Sequence, residues 1–301
     1  MPDITVYEVG PRDGLQNEPA IVPVAAKLAF VNALGAAGLP VIEVSAFVSP
    51  TWVPQMADAE AVCAGIERRP ATRYAALAPN MRGLDRALAA GVTEIGIFAA
   101  ASETFSQRNI NQSIAQSLDT YRGVARSALD AGCRVRAYLS TAFGCPFQGD
   151  VPVATVVETT KALLDMGAYE VAVSDTIGIA HPGQVRKVLA ALLAAVPVQQ
   201  IALHFHDTRG TALANVLASL DFGVTTFDAS AGGLGGCPYA PGATGNLATE
   251  DLLYLLHGLG LDTGVSLDAV YAASTAIEPV VGHQLPSRYV RARAATTTPA
   301  R

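Results

Sequence analysis

The sequence predicts an α/β protein in which strands and helices alternate and close into a (β/α)8 barrel, the TIM-barrel fold. Short runs rich in β-branched residues recur along the chain, and each is followed by a turn and a stretch rich in alanine and leucine. About eight such units occur in 301 residues, which agrees with the strand count and the length of a barrel domain.

Strands are predicted at the β-branched runs and helices at the stretches between them. The strands cover residues 4–10, 41–47, 73–79, 94–100, 134–141, 170–176, 201–207 and 225–231. The helices cover residues 24–37, 83–90, 113–131, 152–166, 183–195 and 210–222, and another follows at about 247–258. Several helices end at a residue that adopts the left-handed conformation of a C-cap easily, namely Gly38, Gly91, Gly132, Gly167 and Gly223.

A doubly wound open sheet is the alternative to the barrel. That fold normally has fewer strands and a phosphate-binding G-x-G-x-x-G turn after its first strand. Residues 10–17 are GPRDGLQN at this place, so the barrel is favoured. We expect residues 1–265 to form the barrel as one catalytic domain. Residues 266–301 are expected to add a C-terminal helix and a tail, packed on or beside the barrel.

Charge, hydropathy and cysteine spacing exclude several classes of protein. The formal net charge is -6 and the basic residues are scattered, so no nucleic-acid partner is expected. A short basic stretch at Arg288, Arg291 and Arg293 is interpreted as a solvated tail. No apolar run approaches the roughly 18 residues that span a membrane, so no membrane partner is expected. The cysteines are widely spaced, as expected for reduced thiols in a cytoplasmic protein.

The unusual polar residues of the chain fall at the predicted C-terminal ends of strands. In barrel enzymes the catalytic groups lie at these ends and on the loops that follow them. The residues concerned are Arg12, Asp13, Glu43, Asp175, His204 and His206. A glycine-rich loop, residues 232–246, follows the last strand. Since chance would scatter such residues over both ends of the strands, this distribution predicts an enzyme.

Two histidines predict half of a metal site. His204 and His206 are two residues apart on one strand, so their side chains point to the same face. Asp13 follows strand 1 and Asn246 lies in the loop after strand 8, and both offer oxygen ligands. In a closed barrel, strand 8 adjoins both strand 1 and strand 7, so the four side chains could converge. Mixed nitrogen and oxygen ligands suit Mg²⁺ or Mn²⁺, and two histidines also allow Co²⁺ or Zn²⁺. The alternatives are a pair of hydrogen-bonded core histidines and, for Asn246, a role in capping the loop.

Two interpretations are open for Arg12. Its guanidinium would stabilise an enolate oxygen as negative charge develops there. Alternatively, it forms a plain ion pair with Asp13 or Glu43. Glu43 lies in the hydrophobic run VIEVS, where an unpaired carboxylate is costly, so a pair between Arg12 and Glu43 is expected.

The glycine-rich loop carries a cysteine at its centre, Cys237. The glycines before it suit a mobile lid that closes and excludes water, and the loop lacks the GK[ST] ending of a P-loop. A thiol with an ordinary pKa is able to protonate a carbanion at neutral pH. A nucleophilic cysteine is the competing interpretation, which would require a nearby base and a lowered pKa.

Five long blocks of the sequence resemble the 3-hydroxy-3-methylglutaryl-CoA lyase family. The blocks are EVGPRDGLQNE (8–18), FVSPTWVPQMAD (47–58), SDTIG (174–178), HFHDTRGTALAN (204–215) and GGLGGCPYAPGATGNLATEDL (232–252). The Arg-Asp pair and the HxH motif are shared with Claisen-type condensing enzymes, whereas the first and last blocks indicate the lyase branch. The resemblance implies a TIM barrel and a divalent cation held by Asp13, His204, His206 and Asn246.

The resemblance also implies a retro-Claisen cleavage of a 3-hydroxy-3-methylglutaryl thioester to acetoacetate and acetyl-CoA. Arg12 would stabilise the enolate and Cys237 would protonate it. Glu43 and Asp175 would support or position these groups, and Gln16, in the DGLQNE block, would join Arg12 and Glu43 in binding substrate. The base that removes the hydroxyl proton would be Asp13 or His204. The partners implied are a small-molecule acyl-CoA and, as an assembly, a second copy in a homodimer.

The chain departs from the family at four positions. Pro19 and Thr51 stand where lysine is usual, Ala46 stands where serine is usual, and Phe205 lies between the histidines where a small residue or cysteine is commoner. The two missing lysines bear on how CoA is bound and on which acyl group is preferred. A lyase of a bulkier 3-hydroxy-3-alkylglutaryl-CoA is therefore one alternative. A Claisen-type condensing enzyme is another, and a barrel that binds an acyl-CoA without turnover is a third.

Overall fold

The computed structural model describes residues 3–236 and 245–297. Its strands are all parallel and form a closed barrel in sequence order, with the last strand paired to the first. The strands are β1 (Thr5–Glu8), β2 (Val41–Ala46), β3 (Arg73–Leu77), β4 (Glu94–Ala100), β5 (Arg134–Ser140), β6 (Val171–Asp175), β7 (Ile201–Phe205) and β8 (Thr226–Ala229). The prediction of a (β/α)8 barrel is therefore confirmed, and the open sheet is excluded.

Helices connect the strands and cover the outside of the barrel. They are α1 (Val24–Ala36), α2 (Ala59–Gly65), α3 (Met81–Ala89), α4 (Glu103–Ile110), α5 (Ile114–Asp130), α6 (Val153–Asp165), α7 (Pro182–Leu193), α8 (Ala212–Leu220), α9 (Thr249–Gly258), α10 (Leu267–Val281) and α11 (Arg288–Thr297). The predicted helices are present within a few residues. Helix α4 was not predicted, because its largely polar sequence shows little apolar periodicity. No helix in the described ranges is long and apolar enough to cross a membrane.

The C-terminal part of the chain packs on the barrel. Helix α10 contacts α1 and α9, and α11 contacts α9 and α10. The interpretation of the basic stretch as a tail is wrong, since these residues belong to α11. The carboxylate of Asp251 accepts hydrogen bonds from the backbone N–H groups of Arg288 and Tyr289, at 3.0 and 2.8 Å, and so caps the helix. The division of the chain at residue 265 stays a prediction.

The interior of the barrel is largely polar, although most TIM barrels fill it with branched aliphatic side chains. The main apolar core lies between the strands and the surrounding helices, whereas a separate interior cluster comprises Tyr7, Val9, Val41 and Ala75. Much of the remaining interior is occupied by ionised groups. They lie at the centre of the fold and must be paired, because an isolated buried charge is very costly.

Arg136 of β5 is the central group of this polar interior. Its side chain is fully buried, and its Nε donates to Glu170 Oε2 at 2.8 Å. Its Nη2 and Nη1 donate to Asp228 Oδ1 and Oδ2 at 2.7 and 3.2 Å. The guanidinium carbon lies 3.8 Å from the centroid of the Tyr7 ring. One cation therefore ties β5 to β8 across the barrel and is shared between two carboxylates.

Replacing this arginine should strongly destabilise the fold. Arg136→Met leaves Asp228 and Glu170 buried without their cation, so the free energy of unfolding should fall by about 3–5 kcal/mol. Urea denaturation followed by circular dichroism measures this change. The control is Arg126→Met on α5, where Arg126 Nε lies 4.0 Å from Asp130 and both side chains are exposed. Its loss should stay within about 0.5 kcal/mol, and equal losses in the two variants would contradict the expectation.

Candidate active site

The first part of the site is a π-helical turn that follows β1. The strand was predicted to continue to residue 10, but it ends at Glu8, and the turn Gly10–Gly14 replaces its end. The N–H groups of Arg12, Asp13 and Gly14 all approach the carbonyl oxygen of Val9, at 3.1, 2.7 and 3.1 Å. Such turns are rare in proteins, and where they occur they often lie at functional sites. This turn places the Arg12 and Asp13 side chains at the C-terminal mouth of the barrel.

Arg12 makes two short ion pairs. Its Nε donates to Glu43 Oε2 and its Nη1 donates to Asp13 Oδ1, both at 2.6 Å, so the expected pair between Arg12 and Glu43 is present. Burial alone would lower the pKa of Arg12, but Glu43 and Asp13 outweigh it and raise that pKa. Burial raises the pKa of Glu43 despite the nearby guanidinium. The other terminal nitrogen, Nη2, has no hydrogen-bond partner within the described ranges.

The two histidines lie side by side at the end of β7, as predicted. The centroids of the His204 and His206 rings are 5.2 Å apart, and both residues are buried. His204 Nδ1 lies 3.2 Å from Asp228 Oδ2. Burial lowers the pKa of His204, but the hydrogen bond and charge of Asp228 outweigh burial and raise it. Burial and the neighbouring His204 lower the pKa of His206 to about 4, so that ring is neutral at pH 7.

Asn246 is held beside these residues by the far end of the glycine-rich loop. The backbone of the loop pairs with the end of β7, where Leu247 N–H donates to Phe205 O at 2.9 Å. Asn246 Nδ2 donates to Asp13 Oδ2 and to Leu234 O, both at 3.0 Å. The close approach requires glycine at position 235, because a Cβ there would lie 2.5 Å from Asn246 Nδ2.

These four side chains fit a divalent cation. One ligand atom from each of Asp13, His204 and His206 lies within 4.8 Å of the other two. Asn246 Oδ1 and His206 Nδ1 are buried, and neither has a hydrogen-bond partner of acceptable geometry among the described residues. Buried polar atoms without partners are costly, and a cation would satisfy them. Although burial would raise the pKa of Asp13, Arg12 and the two histidines lower it to about 2, so this ligand is ionised.

A cavity of about 750 Å³ opens above these groups. Its floor includes Arg12, Asp13, His204 and His206, and Gln16 also lines it. The predicted substrate-binding residue Gln16 thus lines the same cavity as Asp13, His204 and His206, the predicted metal ligands. The wall towards the outside is mixed, with the apolar side chains of Val48, Trp52, Leu77, Phe98, Phe105 and Ile110 and the basic side chain of Arg108. This lining suits a ligand with an apolar and an anionic part.

Among the described residues, three predicted ones do not line this cavity, namely Glu43, Asp175 and Asn246. Glu43 is fully buried beneath Arg12 and touches the site through that side chain. Asp175 accepts hydrogen bonds from the N–H groups of Ile179 and Ala180, at 3.0 and 2.9 Å, and so holds the loop after β6. Burial raises the pKa of Asp175 to about 6. Cys237 lies outside the described residues, so its predicted role as proton donor stays a prediction.

Tyr138 in the site and Asp228 beside it were not predicted. Tyr138 lines the cavity, with its ring centroid 5.4 Å from the guanidinium carbon of Arg12. Asp228 lies beneath His204. A signal for Tyr138 is present on β5, where arginine, arginine, tyrosine and serine alternate with apolar residues, as on a strand with one polar face. Asp228 is a single acidic residue in the short β8 and gives no comparable pattern.

Two buried carboxylates hold the near end of the glycine-rich loop. Glu8 accepts a hydrogen bond from Ala231 N–H at 2.9 Å and another from Thr249 Oγ1 at 2.7 Å. Glu250 accepts from Gly232 N–H at 2.9 Å and from the Ser274 hydroxyl. Burial raises the pKa of Glu8 to about 7 and that of Glu250 to about 8. The start of the loop is therefore anchored by groups that titrate near neutral pH.

Comparison with known proteins agrees with this geometry. The chain matches the HMGL-like family over residues 3–277. It belongs to the hydroxymethylglutaryl-CoA lyase family. This membership confirms the predicted family and the prediction of a carbon–carbon lyase. Together with the four converging side chains, it supports the predicted metal dependence, while the identity of the cation stays a prediction.

Three proteins of this lyase family are similar over nearly their whole length. The 3-hydroxy-3-isohexenylglutaryl-CoA/hydroxy-methylglutaryl-CoA lyase of Pseudomonas aeruginosa is 52% identical, over 96% of this chain and 96% of that protein. The crystal structure of the Bacillus subtilis HMG-CoA lyase superposes with a TM-score of 0.95 at 49% identity, covering 97% of this chain and 98% of that chain. An HMG-CoA lyase from Acinetobacter baumannii in complex with coenzyme A and 3-methylmalate has a TM-score of 0.92 at 38% identity, covering 99% and 97%.

The buried anchors of the loop predict how stability depends on pH. The folded-state pKa of Glu250 is raised to about 8, so its contribution is fully present below its ordinary pKa and is lost as pH rises through about 8. Glu250→Gln stays neutral and should lose less stability over this range. Between about pH 5 and pH 8, its melting temperature should fall by about 2–4 °C less than that of the unmodified protein, as measured by calorimetry.

Glu60→Gln is the matched control. Glu60 lies at the surface, where its hydrogen bond with Arg86 lowers its pKa, so it does not titrate in this window. This variant should keep the pH dependence of the unmodified protein. Identical slopes for Glu250→Gln and the unmodified protein would contradict the anchoring role.

Proposed function

We propose that this chain is a hydroxymethylglutaryl-CoA lyase, which cleaves 3-hydroxy-3-methylglutaryl-CoA to acetoacetate and acetyl-CoA. The observation that carries the proposal is the convergence of Asp13, His204 and His206 beside Arg12 on the floor of one cavity. Relatives about half identical over nearly the whole chain have this activity in their names, which supports the same assignment here.

The proposed ligands of the cation are Asp13, His204, His206 and Asn246. Two nitrogen and two oxygen donors with room for substrate oxygens suit Mg²⁺ or Mn²⁺. When bound, the cation would polarise the tertiary hydroxyl and the oxygens at the carboxylate end of the substrate. The chain itself keeps the donors in place, since Asn246 is hydrogen-bonded to Asp13 and His204 to Asp228.

The proposed cleavage is a retro-Claisen reaction. Of the two predicted bases, His204 would hold the cation with one ring nitrogen and faces Asp228 with the other, so Asp13 is the proposed base. It removes the proton of the tertiary hydroxyl and later releases it to solvent, and the oxygen forms the ketone of acetoacetate. The bond to the carbon next to the thioester breaks, and its electron pair becomes the enolate of acetyl-CoA. Arg12 lies on the cavity floor with Nη2 unpaired in the described chain, so it is placed to donate to the enolate oxygen. Glu43 and Asp13 hold its guanidinium in that orientation.

Cys237 is the proposed proton donor to the enolate carbon. Its thiol would give its proton to the carbanion, which completes acetyl-CoA, and the thiolate would recover a proton from solvent before the next turnover. The described residues that flank this part of the loop support the proposal. Gly236 lines the cavity, and its carbonyl accepts a hydrogen bond from Asn17 Nδ2 at 2.9 Å.

The substrate is proposed to be an acyl-CoA, as the named complex of the Acinetobacter relative suggests. With proline and threonine at positions 19 and 51, Arg108 supplies a basic group to the cavity wall. A bulkier 3-hydroxy-3-alkylglutaryl-CoA is a second candidate substrate, favoured by the apolar wall and by the isohexenyl compound in the name of the Pseudomonas relative. The homodimer, the cytoplasmic location and the one-domain barrel with a C-terminal extension remain predictions.

The activity is tested with purified protein and a panel of thioesters. With Mg²⁺ or Mn²⁺, the protein should release acetoacetate from 3-hydroxy-3-methylglutaryl-CoA with saturable kinetics, and EDTA should abolish the release until the cation is restored. Acetoacetate is followed with a coupled dehydrogenase assay. Cleavage of a longer branched analogue alone would reassign the substrate, and no turnover of any thioester would refute the proposal.

The role of Cys237 is tested by substitution. Cys237→Ser replaces a thiol by a hydroxyl that is a much weaker acid, so kcat should fall roughly 10²–10⁴-fold while the bound cation is retained. Elemental analysis checks the cation. The matched control is Cys133→Ser, since Cys133 lies just before β5, with its thiol near the carbonyl of Val92 at 3.4 Å, and does not line the cavity. Unchanged turnover in Cys237→Ser would exclude the thiol as the acid.

A further inference from the structure

The register of two neighbouring strands places a carboxylate beneath one of the proposed metal ligands. His204 of β7 and Asp228 of β8 are directly paired across the sheet. Both side chains point into the barrel, and His204 Nδ1 lies 3.2 Å from Asp228 Oδ2. This contact is set by backbone pairing and does not depend on a loop.

Asp228 does not belong to the cation or the substrate site itself. It is buried, it is absent from the residues that line the cavity, and it is not one of the three groups whose ligand atoms converge. Asp228 therefore acts on the site through His204. The contact of Nδ1 with this carboxylate leaves Nε2 as the ring nitrogen available for ligation.

Arg136 fixes the carboxylate from the opposite side. Its Nη2 and Nη1 reach both oxygens of Asp228, at 2.7 and 3.2 Å, while its Nε binds Glu170 at 2.8 Å. Because both Asp228 oxygens accept hydrogen bonds from Arg136, the carboxylate cannot rotate without breaking one of these hydrogen bonds. The single positive charge of Arg136 is shared by the carboxylates of Asp228 and Glu170. Negative charge therefore remains on Asp228 to accept a hydrogen bond from the imidazole N–H.

We infer that Asp228 is a positioning residue for His204, held by Arg136, and that it fixes the ring and the tautomer that binds the cation through Nε2. The inference rests on the proposed metal site. Metal-ligating histidines commonly donate their other N–H to a carboxylate, and loss of such a partner typically costs 10–100-fold in metal affinity. Here the partner is supplied from inside the barrel.

Asp228→Asn tests the inference with almost no change in volume. An amide has one oxygen, and the contacts of Arg136 and His204 require acceptors at both positions. If the amide nitrogen faces His204, Nδ1 must accept and the proton moves to Nε2, which blocks ligation. If the amide nitrogen faces Arg136, its N–H groups meet the N–H groups of the guanidinium, and no hydrogen bond forms between them. Either way the Kd for Mn²⁺, measured by electron paramagnetic resonance, should rise by about 10–100-fold.

The matched control is Glu170→Gln. Glu170 also binds Arg136 and is nearly as buried, but it lies just before the start of β6, whereas His204 is paired with Ser174 three residues further along that strand from Val171. If Asp228 only balances the buried arginine, both variants should lose Mn²⁺ affinity alike, which would overturn the inference. We expect the Kd of Glu170→Gln to stay within about threefold of the unmodified protein, while kcat of Asp228→Asn recovers substantially at saturating Mn²⁺.

A measurement on the unmodified protein covers the case in which Asp228→Asn does not fold. The chain has five histidines, so ¹⁵N-histidine spectra are tractable. A pH series of these spectra shows when His204 is neutral, and the neutral ring should carry its proton on Nδ1. A proton on Nε2 would overturn the inference. Failure of the proposed metal site is distinguishable, because the unmodified protein would then bind no Mn²⁺ although the tautomer is as expected.

Discussion

The shared guanidinium of Arg136 is the constraint on which the arrangement of this barrel depends. It is buried at the centre of the fold, where an unpaired charge is costly, and it is matched by carboxylates from two other parts of the barrel wall. Aliphatic side chains would also fill the interior, but they would not require a particular partner on a particular strand. A charged interior instead requires one partner at each position, and that requirement extends upward to the histidines at the mouth.

The features of the site that could be predicted are those with a local signature. Alternation along β7 places His204 and His206 on one face, and the position of Arg12 and Asp13 after the first β-branched run is visible in the sequence. Strand order followed from the alternation of elements, because consecutive parallel strands joined by helices become neighbours. The convergence of Asp13 with the two histidines therefore needed no knowledge of distances.

The remaining features depend on contacts between distant segments. Asp228 is recognised only once the register of β7 against β8 is known, and Asp175 proves to hold a loop because its oxygens meet two backbone N–H groups. Helix α11 needs the carboxylate of Asp251, supplied by another helix, at its N-terminus. The π-helical turn after β1 likewise has no sequence signature in its periodicity. Each of these is decided by a partner far away in the chain.

The pairing of His204 with Asp228 also limits how such a protein can diverge. Side chains on a strand alternate between faces, so one residue inserted or deleted in β7 ahead of His204 would turn both histidines out of the barrel. The same event in β8 would remove the carboxylate from the interior and leave Arg136 short of a partner. Length changes are therefore tolerable in the loops around the cavity, whereas in the strands beneath it they would disrupt the site and the buried ion pairs. On this scaffold, a change of substrate therefore requires changes in the cavity wall, whereas the paired side chains beneath it depend on one another.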